Sequence, residues 1–240
     1  MTQSPENMNH YAEHAPRTNH SADLYHAAFG DNLNSVVTIA DIGAGDSDFA
    51  LNAPEGKQVV RVDAQYEARP PEGSDYIAAH AQDMSMIPDG SFDATISVLM
   101  MQHIPHGKGD VAKSISEMVR ITKPYNSENP DAGKVSIYPV WNKKAMEKAL
   151  RPFADVAHVG YANDDMENLP DEYLMPTLMI ARTEALDEDR LQGLANAIEA
   201  SGSLKRPPSL RQLARRALIR RTNNTHRNVS KKRDTHFSMV

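Results

Sequence analysis

The amino-acid sequence predicts an α/β protein with a mostly parallel β-sheet covered by helices. Seven short runs of β-branched and apolar residues are spread along the chain between residues 36 and 181. Between some of these runs, apolar residues recur every three to four positions, which is the period of an amphipathic helix. Strands that alternate with helices through short connections are typical of parallel sheets, so these two observations together indicate the fold class.

The predicted elements follow one another in a regular order. The strands are predicted at residues 36–42, 58–62, 76–79, 93–99, 134–140, 153–159 and 174–181. The clearest helix is predicted over residues 109–122, and a second begins at the N-cap residue Asn142 and ends at Leu150. A third helix is predicted after Thr183. The stretch 64–74 contains two consecutive prolines, so we do not expect a continuous crossover helix there.

Composition and charge exclude several classes of function. The chain has 240 residues, enough for a sizeable core, and no cysteine. Disulfides, iron–sulfur clusters and cysteine nucleophiles are therefore excluded. Residues 201–240 hold eleven of the 26 lysines and arginines and one of the 32 acids, which gives +10, whereas residues 1–200 carry −16. The sequence thus combines an acidic body with a basic tail.

A glycine-rich turn, Asp41-Ile42-Gly43-Ala44-Gly45, directly follows the first predicted strand. Glycines let the chain turn sharply and let a ligand approach the backbone, and the helix expected next would offer free N–H groups. The position where a dinucleotide site needs a third glycine is Asp48, and Asp46 and Asp48 would repel a pyrophosphate. We therefore expect a ligand without phosphates, whose ammonium group Asp41 binds directly or through water.

Acidic residues follow three consecutive predicted strands. Asp63 ends the second strand, where a carboxylate can accept both hydroxyls of a ribose. Asp83 follows the third strand and could meet an adenine amino group. Each acid alone could instead be a turn or helix-cap residue, but with Asp41 the three form a pattern that favours a nucleoside site.

Five motifs in this order resemble class I S-adenosylmethionine-dependent methyltransferases, in the group related to quinone-biosynthesis methyltransferases. They occupy residues 37–45, 60–63, 83–84 with 87–93, 99–104 and 117–124. The resemblance implies a three-layer, Rossmann-like fold with a mostly parallel seven-stranded sheet whose last strand, 174–181, is antiparallel. It also implies a set of cofactor-binding residues: Asp41, Gly43, Ala44, Gly45, Asp63, Ala64, Asp83, Met84 and Val98. The chain departs from the family by an insertion over residues 125–132.

The resemblance also divides the chain. Residues 31–183 are expected to form the S-adenosylmethionine-binding domain, preceded by a polar segment, 1–30, that could contribute a lid helix. Residues 184–240 are expected to form a helical, basic extension that is disordered in part. No secretory signal or membrane-spanning run is visible in the sequence, so we expect a cytoplasmic location.

The expected reaction is direct displacement at the methyl group, in which the protein mainly aligns the acceptor and excludes water. His103 and His106 follow the fourth strand and are the candidate general bases, although either could instead cap or pack the loop. Tyr138 and Trp141 follow the fifth strand and are candidates for the substrate pocket, with a core role equally open for Tyr138. The sequence shows neither an acidic metal ligand over residues 97–103 nor the motif of nucleic-acid N-methyltransferases.

Three hypotheses about function follow. The first is methyl transfer to an unidentified small molecule. The second is an RNA methyltransferase that grips phosphates through residues 205–233, a segment that could equally contact an anionic surface or dock on the acidic body. The third is a non-catalytic cofactor-binding module that serves a partner, because a fold alone does not establish activity.

Overall fold

The structure of the protein is a computed structural model. It describes residues 35–47, 49–51, 53, 55–68, 72–73, 75–125, 132–161 and 175–207. The predicted lid segment 1–30 lies outside the described residues, and so does the basic tail beyond Pro207. The chain divides into two compact units, Met1–Lys205 and Arg206–Val240. All elements described below belong to the first unit.

The described residues form one seven-stranded sheet. Its strands are β1 (Thr38–Ile42), β2 (Gln58–Val62), β3 (Tyr76–Ile77), β4 (Ala94–Val98), β5 (Lys134–Tyr138), β6 (Ala157–Gly160) and β7 (Thr177–Ala181). The strand order is β3-β2-β1-β4-β5-β7-β6. β7 runs antiparallel to both β5 and β6, whereas the other pairs are parallel. The predicted mostly parallel sheet with an antiparallel last strand is therefore confirmed.

In the described part of the chain, three α-helices pack against one face of this sheet. They are α1 (Asp110–Ile121), α2 (Lys143–Leu150) and α3 (Glu188–Ser201). Val111, Ile115 and Met118 of α1 are fully buried, as their spacing on one helix face requires. The predicted N-cap of α2 is confirmed, because the Asn142 side chain accepts a 3.1 Å hydrogen bond from the Ala145 amide.

The apolar core has two parts because side chains alternate between the faces of each strand. Ala40 and Ile42 of β1 belong to the larger cluster, which includes side chains of all three helices. Ile39 belongs to a smaller cluster on the opposite face, with Phe49 and Tyr138. α3 contributes Leu194, Ala195 and Ile198 to the larger cluster, so the first compact unit extends past Thr183.

The prediction of a helix directly after Gly45 is wrong, because the described residues between 46 and 57 form turns and irregular structure. Only eight residues separate Gly45 from Pro54, and several are Asp, Ser or Asn, whose side chains compete with helical backbone hydrogen bonds. The next connection contains a single 3₁₀ turn, Ala64–Glu67, capped by Asp63. This agrees with the expectation that no continuous helix crosses there.

Six of the seven strands are shorter than predicted, and only β2 has the predicted bounds. β3 contains only Tyr76 and Ile77. β6 begins at Ala157 because Arg151–Phe153 forms a 3₁₀ turn, in which Pro152 fits the fixed φ of the first helical positions.

Asp93 joins three segments at the start of β4. Its Oδ2 accepts hydrogen bonds from the amides of Thr38, at 2.8 Å, and Val37, at 3.2 Å. Its Oδ1 accepts a 2.8 Å bond from Lys123 Nζ. This buried carboxylate therefore ties β1 and the segment after α1 to β4, at the end of the strands opposite the predicted site.

None of the helices in the described part of the chain has both the length and the apolar character that a membrane span requires.

Candidate active site

The glycine turn after β1, from Gly43 to Gly45, forms a tightly packed cradle at the carboxyl end of the sheet. Gly43 and Gly45 have positive φ angles of 72° and 51°. The Gly43 amide donates a 2.7 Å hydrogen bond to the Val62 carbonyl, which fixes the turn against β2. A Cβ atom on Gly43 would lie 2.1 Å from Met100 Cγ, so only glycine fits between the turn and the segment after β4. Ala44 is buried between the two glycines.

Asp63 holds the glycine turn and retains capacity for a ligand. Its Oδ2 accepts a 3.0 Å hydrogen bond from the Gly45 amide, and its Oδ1 accepts one of 2.9 Å from Gln65. Burial raises the pKa of Asp63, and the two N–H groups partly offset this. Since each carboxylate oxygen has two acceptor sites, one site on each oxygen remains for a ligand hydroxyl. The Tyr66 hydroxyl donates to the Gly45 carbonyl at 2.6 Å and completes the support.

Asp41 lies beneath this turn, completely buried within β1. Its register partners are Arg61 on β2 and Ile96 on β4, which places the three on one face of the sheet. Arg61 is 5% exposed, so a buried guanidinium accompanies the buried carboxylate on that face. Contact between Asp41 and a ligand ammonium stays a prediction.

The turn after β3 presents the third predicted acid. Asp83 is exposed, and hydrogen bonding from Ser85, whose amide lies 3.4 Å from Oδ1, lowers its pKa. The next residue, Met84, is fully buried. Its amide donates to Glu117 Oε2 at 2.7 Å, and its carbonyl accepts from Arg120 Nη2 at 2.8 Å. Two side chains of α1 therefore fix the backbone beside Asp83.

The segment after β4 closes the crevice where the strand order reverses, between β1 and β4. Open α/β sheets bind ligands at this switch point, outside the carboxyl ends of the strands. Val98 ends β4, and Leu99 follows with a φ of +59°, a strained left-handed conformation for a leucine. The Leu99 amide donates a 2.7 Å hydrogen bond to the Tyr138 carbonyl on β5, while its side chain is 37% exposed. Strained, exposed residues of this kind are concentrated at functional sites.

Comparison with known families identifies this arrangement. Residues 40–125, which span the glycine turn, all three acids and α1, match the family described as Methyltransferase domain. Over these residues the chain therefore carries a methyltransferase domain, of the class I S-adenosylmethionine-dependent type that its motifs resemble. Its cofactor is therefore S-adenosylmethionine, and the resemblance drawn from the sequence motifs is confirmed.

Three solved structures illustrate the similarity. A Burkholderia thailandensis 1,6-didemethyltoxoflavin-N1-methyltransferase is 14% identical, with 75% of this chain and 84% of the other covered and a TM-score of 0.46. One chain of the complex between the Haloferax volcanii Trm112 methyltransferase activator and a methyltransferase is also 14% identical, with 77% of this chain and 100% of the other covered and a TM-score of 0.49. A T. thermophilus 16S rRNA methyltransferase with AdoMet and guanosine is 13% identical over 70% and 40%, with a TM-score of 0.43. A search of curated proteins found no match.

The two candidate bases of the methyltransferase occupy different environments. His103 is exposed at the end of the 3₁₀ turn Met101–His103, and its Nε2 lies 3.2 Å from Gln102 Nε2. His106 is partly buried, and both of its ring nitrogens are shielded from solvent. Burial lowers the pKa of His106, an effect that the nearby Met101 carbonyl and Glu199 carboxylate partly oppose. This shift favours the neutral form of the imidazole.

The predicted substrate residues lie at the carboxyl end of β5. The Tyr138 side chain is 2% exposed and belongs to the smaller apolar cluster, where it is the register partner of Val98. Trp141 is partly buried, and its amide donates a 2.7 Å hydrogen bond to the Ser203 carbonyl. Ala64, predicted to line the cofactor site, begins the 3₁₀ turn next to Asp63. Roles in substrate or cofactor binding remain predictions for these residues.

Three supporting residues were missed from the sequence. Glu117 and Arg120 lie in a recognised motif, but nothing in the motif indicates that they hold the turn after β3. Glu199 of α3 accepts hydrogen bonds from the amides of Gly107, at 2.8 Å, and Gly109, at 2.9 Å, through Oε1. Its Oε2 accepts a 3.0 Å bond from Ala112. The only available signal was the i, i+3 spacing of Glu117 and Arg120, typical of a helix ion pair.

Proposed function

We propose that this methyltransferase transfers a methyl group to a small organic molecule by direct in-line displacement. The observation that carries the proposal is the segment after β4. Its Met100 side chain packs against Gly43, the adjacent Leu99 side chain is exposed, and two histidines follow within seven residues of Leu99. An apolar wall, a proton acceptor and an adjoining cofactor site are what such a transfer requires.

The residues present fit the cofactor in three respects. Gly45 leaves room for a ligand beside the backbone, because only Gln65 Nε2, at 3.6 Å, lies within 4 Å of the Cβ position. Asp63 keeps one free acceptor site on each carboxylate oxygen, which suits the two ribose hydroxyls. Asp83 is exposed and ionised, which suits an adenine amino group. We infer that Ala44, Ala64, Met84 and Val98 form the walls of this site and that Asp41 acts from beneath it.

When bound, S-adenosylmethionine supplies an electrophilic methyl group, so no covalent enzyme intermediate is needed. The chain's own task is to align the acceptor and keep water away. His103, whose side chain is exposed at the end of the 3₁₀ turn, would accept the acceptor's proton at a ring nitrogen. His106, whose ring nitrogens are shielded from solvent, is the second candidate for this role, and Tyr138 and Trp141 would border the acceptor at the carboxyl end of β5.

Charge at the site favours a small acceptor over a nucleic acid. The segment from Leu99 to Pro105 contains no lysine or arginine. The nearby loops instead present Asp46, Asp63 and Asp83, which would repel a phosphate backbone. A neutral or cationic acceptor with apolar surface fits these surroundings best.

Calorimetric titration with S-adenosylhomocysteine tests the cofactor site. The Asp63→Asn variant should bind about 10- to 100-fold more weakly, because hydrogen bonds to a charged acceptor are lost. Asp75→Asn is a matched control, since Asp75 is an exposed acid just before β3 that accepts from Gln58 at the start of β2, away from the carboxyl ends of the strands. Unchanged affinity in Asp63→Asn would overturn the proposed site.

Methyl-labelled S-adenosylmethionine tests the acceptor. We expect label to enter a small-molecule extract rather than total RNA offered at the same concentration of enzyme. A His103→Gln variant should lower the rate at saturating cofactor without weakening S-adenosylhomocysteine binding. Label recovered only in RNA would contradict the small-molecule proposal.

RNA methylation is a second candidate because of one feature of the sequence. The segment 205–233 contains eleven lysines and arginines and no acid. Phosphate contacts by these side chains would make RNA binding fall steeply with salt. Full-length protein in which Lys231, Lys232 and Arg233 are replaced by glutamine should then bind total RNA with a shallower salt dependence. An unchanged slope would count against the tail as an RNA contact.

A further inference from the structure

The sheet alone does not fix the position of Asp83. β3 has only two residues, Tyr76 and Ile77, paired with Arg61 and Val62 of β2. Asp83 comes six residues after the end of β3, within a turn closed by a 2.9 Å hydrogen bond from its amide to the His80 carbonyl. Register in a short edge strand is weakly specified, so another element must set the geometry of this turn.

That element is α1, which holds the peptide groups of Met84 from both sides. The Met84 amide donates to Glu117 and its carbonyl accepts from Arg120, while its side chain is completely buried. The residue directly after Asp83 therefore has a fixed backbone. The Met84 N–H already donates to Glu117, so we expect the Asp83 carboxylate, rather than this N–H group, to bind the purine here.

Arg120 extends the same hold to the rest of the turn. Its Nη1 donates to the Ile87 carbonyl at 2.8 Å and to Asp89 Oδ1 at 2.6 Å. Its own carbonyl accepts a 2.9 Å hydrogen bond from the Gly90 amide. A guanidinium fork can serve several oxygens in fixed directions, which an ammonium group cannot do.

Glu117 in turn orients Arg120. Its two oxygens accept bonds of 2.9 Å from Nε and 3.0 Å from Nη2, a bidentate arrangement. Hydrogen bonding from Arg120 lowers the pKa of Glu117, so the pair is ionised at neutral pH. The apolar stripe of α1 already buries Val111, Ile115 and Met118 against the sheet, so the ion pair has a different task from docking the helix.

We propose that Glu117 and Arg120 form a positioning pair for purine recognition. The pair fixes the Met84 peptide and thereby the direction in which Asp83 presents its carboxylate to the adenine amino group. The inference rests on the proposed cofactor site. Asp83 itself is exposed, and both groups that donate to its carboxylate, the Ser85 amide and the Ser85 side chain, belong to the same turn, so its orientation follows the backbone of that turn.

The test compares two ligands that differ at one purine substituent. Full-length protein is titrated with S-adenosylhomocysteine and with S-inosylhomocysteine, in which a carbonyl oxygen replaces the amino group. Wild-type protein should prefer the adenine compound by about tenfold or more, because a site built around a donor rejects an analogue without it. In Arg120→Lys and in Glu117→Gln this preference should fall to about twofold or less.

Arg190→Lys is the matched control. Arg190 also donates to a carboxylate, that of Asp155, and to a carbonyl, that of Ala185, but on α3. Its substitution should leave the preference unchanged. Both affinities are measured on the same preparation, so a partly unfolded variant lowers both equally and leaves their ratio intact.

The outcomes separate this inference from the proposed function. If wild-type protein binds neither compound, the proposed cofactor site fails and the inference with it. If wild-type protein binds and discriminates, but Arg120→Lys discriminates equally well, the pair is merely structural and the inference is wrong. In an Asp83→Asn background, Arg120→Lys should cause no further loss of preference, whereas an additional loss would show that the pair does not act through Asp83.

Discussion

Replacing Gly43 with alanine combines two separable costs at the centre of the cofactor site. The residue has a φ of +72°, and its amide is held by the Val62 carbonyl, so the backbone cannot easily change conformation. The new Cβ would lie 2.1 Å from Cγ and 2.5 Å from Cβ of Met100. Contacts this short require the segment after β4 to move.

The expected size of the effect follows from these two causes. A left-handed conformation costs a non-glycine residue about 1–2 kcal/mol. Overpacking against a neighbour costs about 1–3 kcal/mol more. The free energy of unfolding should therefore fall by about 2–5 kcal/mol in Gly43→Ala. The turn that faces the cofactor is displaced at the same time, so affinity for S-adenosylhomocysteine should fall at least about tenfold.

Urea unfolding of matched variants separates the causes. Gly202 at the end of α3 has a φ of +63°, and no atom of the described part of the chain lies within 4 Å of the Cβ that alanine would add. Gly202→Ala should therefore show the conformational cost alone, about 1–2 kcal/mol. Both clashing atoms belong to Met100, so in a Met100→Gly background the cost of Gly43→Ala should fall to about 1–2 kcal/mol. In a Met100→Ala background the Cβ atom of residue 100 remains, so the cost of Gly43→Ala should fall by a smaller amount. Equal costs for Gly43→Ala and Gly202→Ala in wild-type protein would refute the packing argument.

Three further predictions concern stability and local order. Burial acts to raise the pKa of Asp93, but hydrogen bonds from Lys123 and backbone amides outweigh it and lower this pKa from 3.8 to about 2. Its stabilisation should thus be complete above about pH 4 and be lost as pH falls towards 2. Asp93→Asn should reduce the free energy of unfolding by roughly 2 kcal/mol at pH 7 and should weaken its dependence on pH in acid, as measured by urea unfolding at a series of pH values. A pH dependence equal to that of wild-type protein would contradict this explanation. Leu99→Gly should raise stability by about 1 kcal/mol through relief of the left-handed strain, and a decrease in urea unfolding would oppose that explanation. Glu199→Ala should accelerate amide exchange at Gly109 by tenfold or more, measured by hydrogen–deuterium exchange, whereas unaltered protection would show that the carboxylate does not hold the loop.

The parts of the fold that the sequence predicted are those set by local pattern. α1 was predicted over 109–122 and occupies Asp110–Ile121, because its apolar residues recur at the helical period. The N-cap Asn142 carries its own local signal. The helix expected after Gly45 was wrong because family resemblance and glycine spacing outweighed a local composition rich in turn formers. The antiparallel direction of β7 was available only from the resemblance, since strand direction leaves no trace in a run of apolar residues.

Site residues were predictable from the sequence only where they directly follow a predicted strand. Asp63 follows β2 and forms its contacts within a few residues and with the neighbouring glycine turn. Glu199 lies about 90 residues from the amides it binds, and Glu117 lies 33 residues from Met84. Such pairings are fixed by tertiary packing and have no period or spacing in the sequence, so no pattern in a single chain indicates them.

The helices of the larger cluster do more than cover the sheet, since two of them also fix the loops that carry the candidate chemistry. β3 has two residues and β4 has five, so backbone pairing guides the chain only up to the strand ends. Beyond those ends, α1 holds the turn after β3 through its ion pair, and α3 holds the loop before α1 through Glu199. A carboxylate and a guanidinium serve this purpose well because hydrogen bonds to charged groups are short, directional and stronger than neutral ones. Substitutions of these polar residues should therefore alter ligand discrimination and loop order, whereas substitutions in the apolar stripe of α1 should alter stability alone.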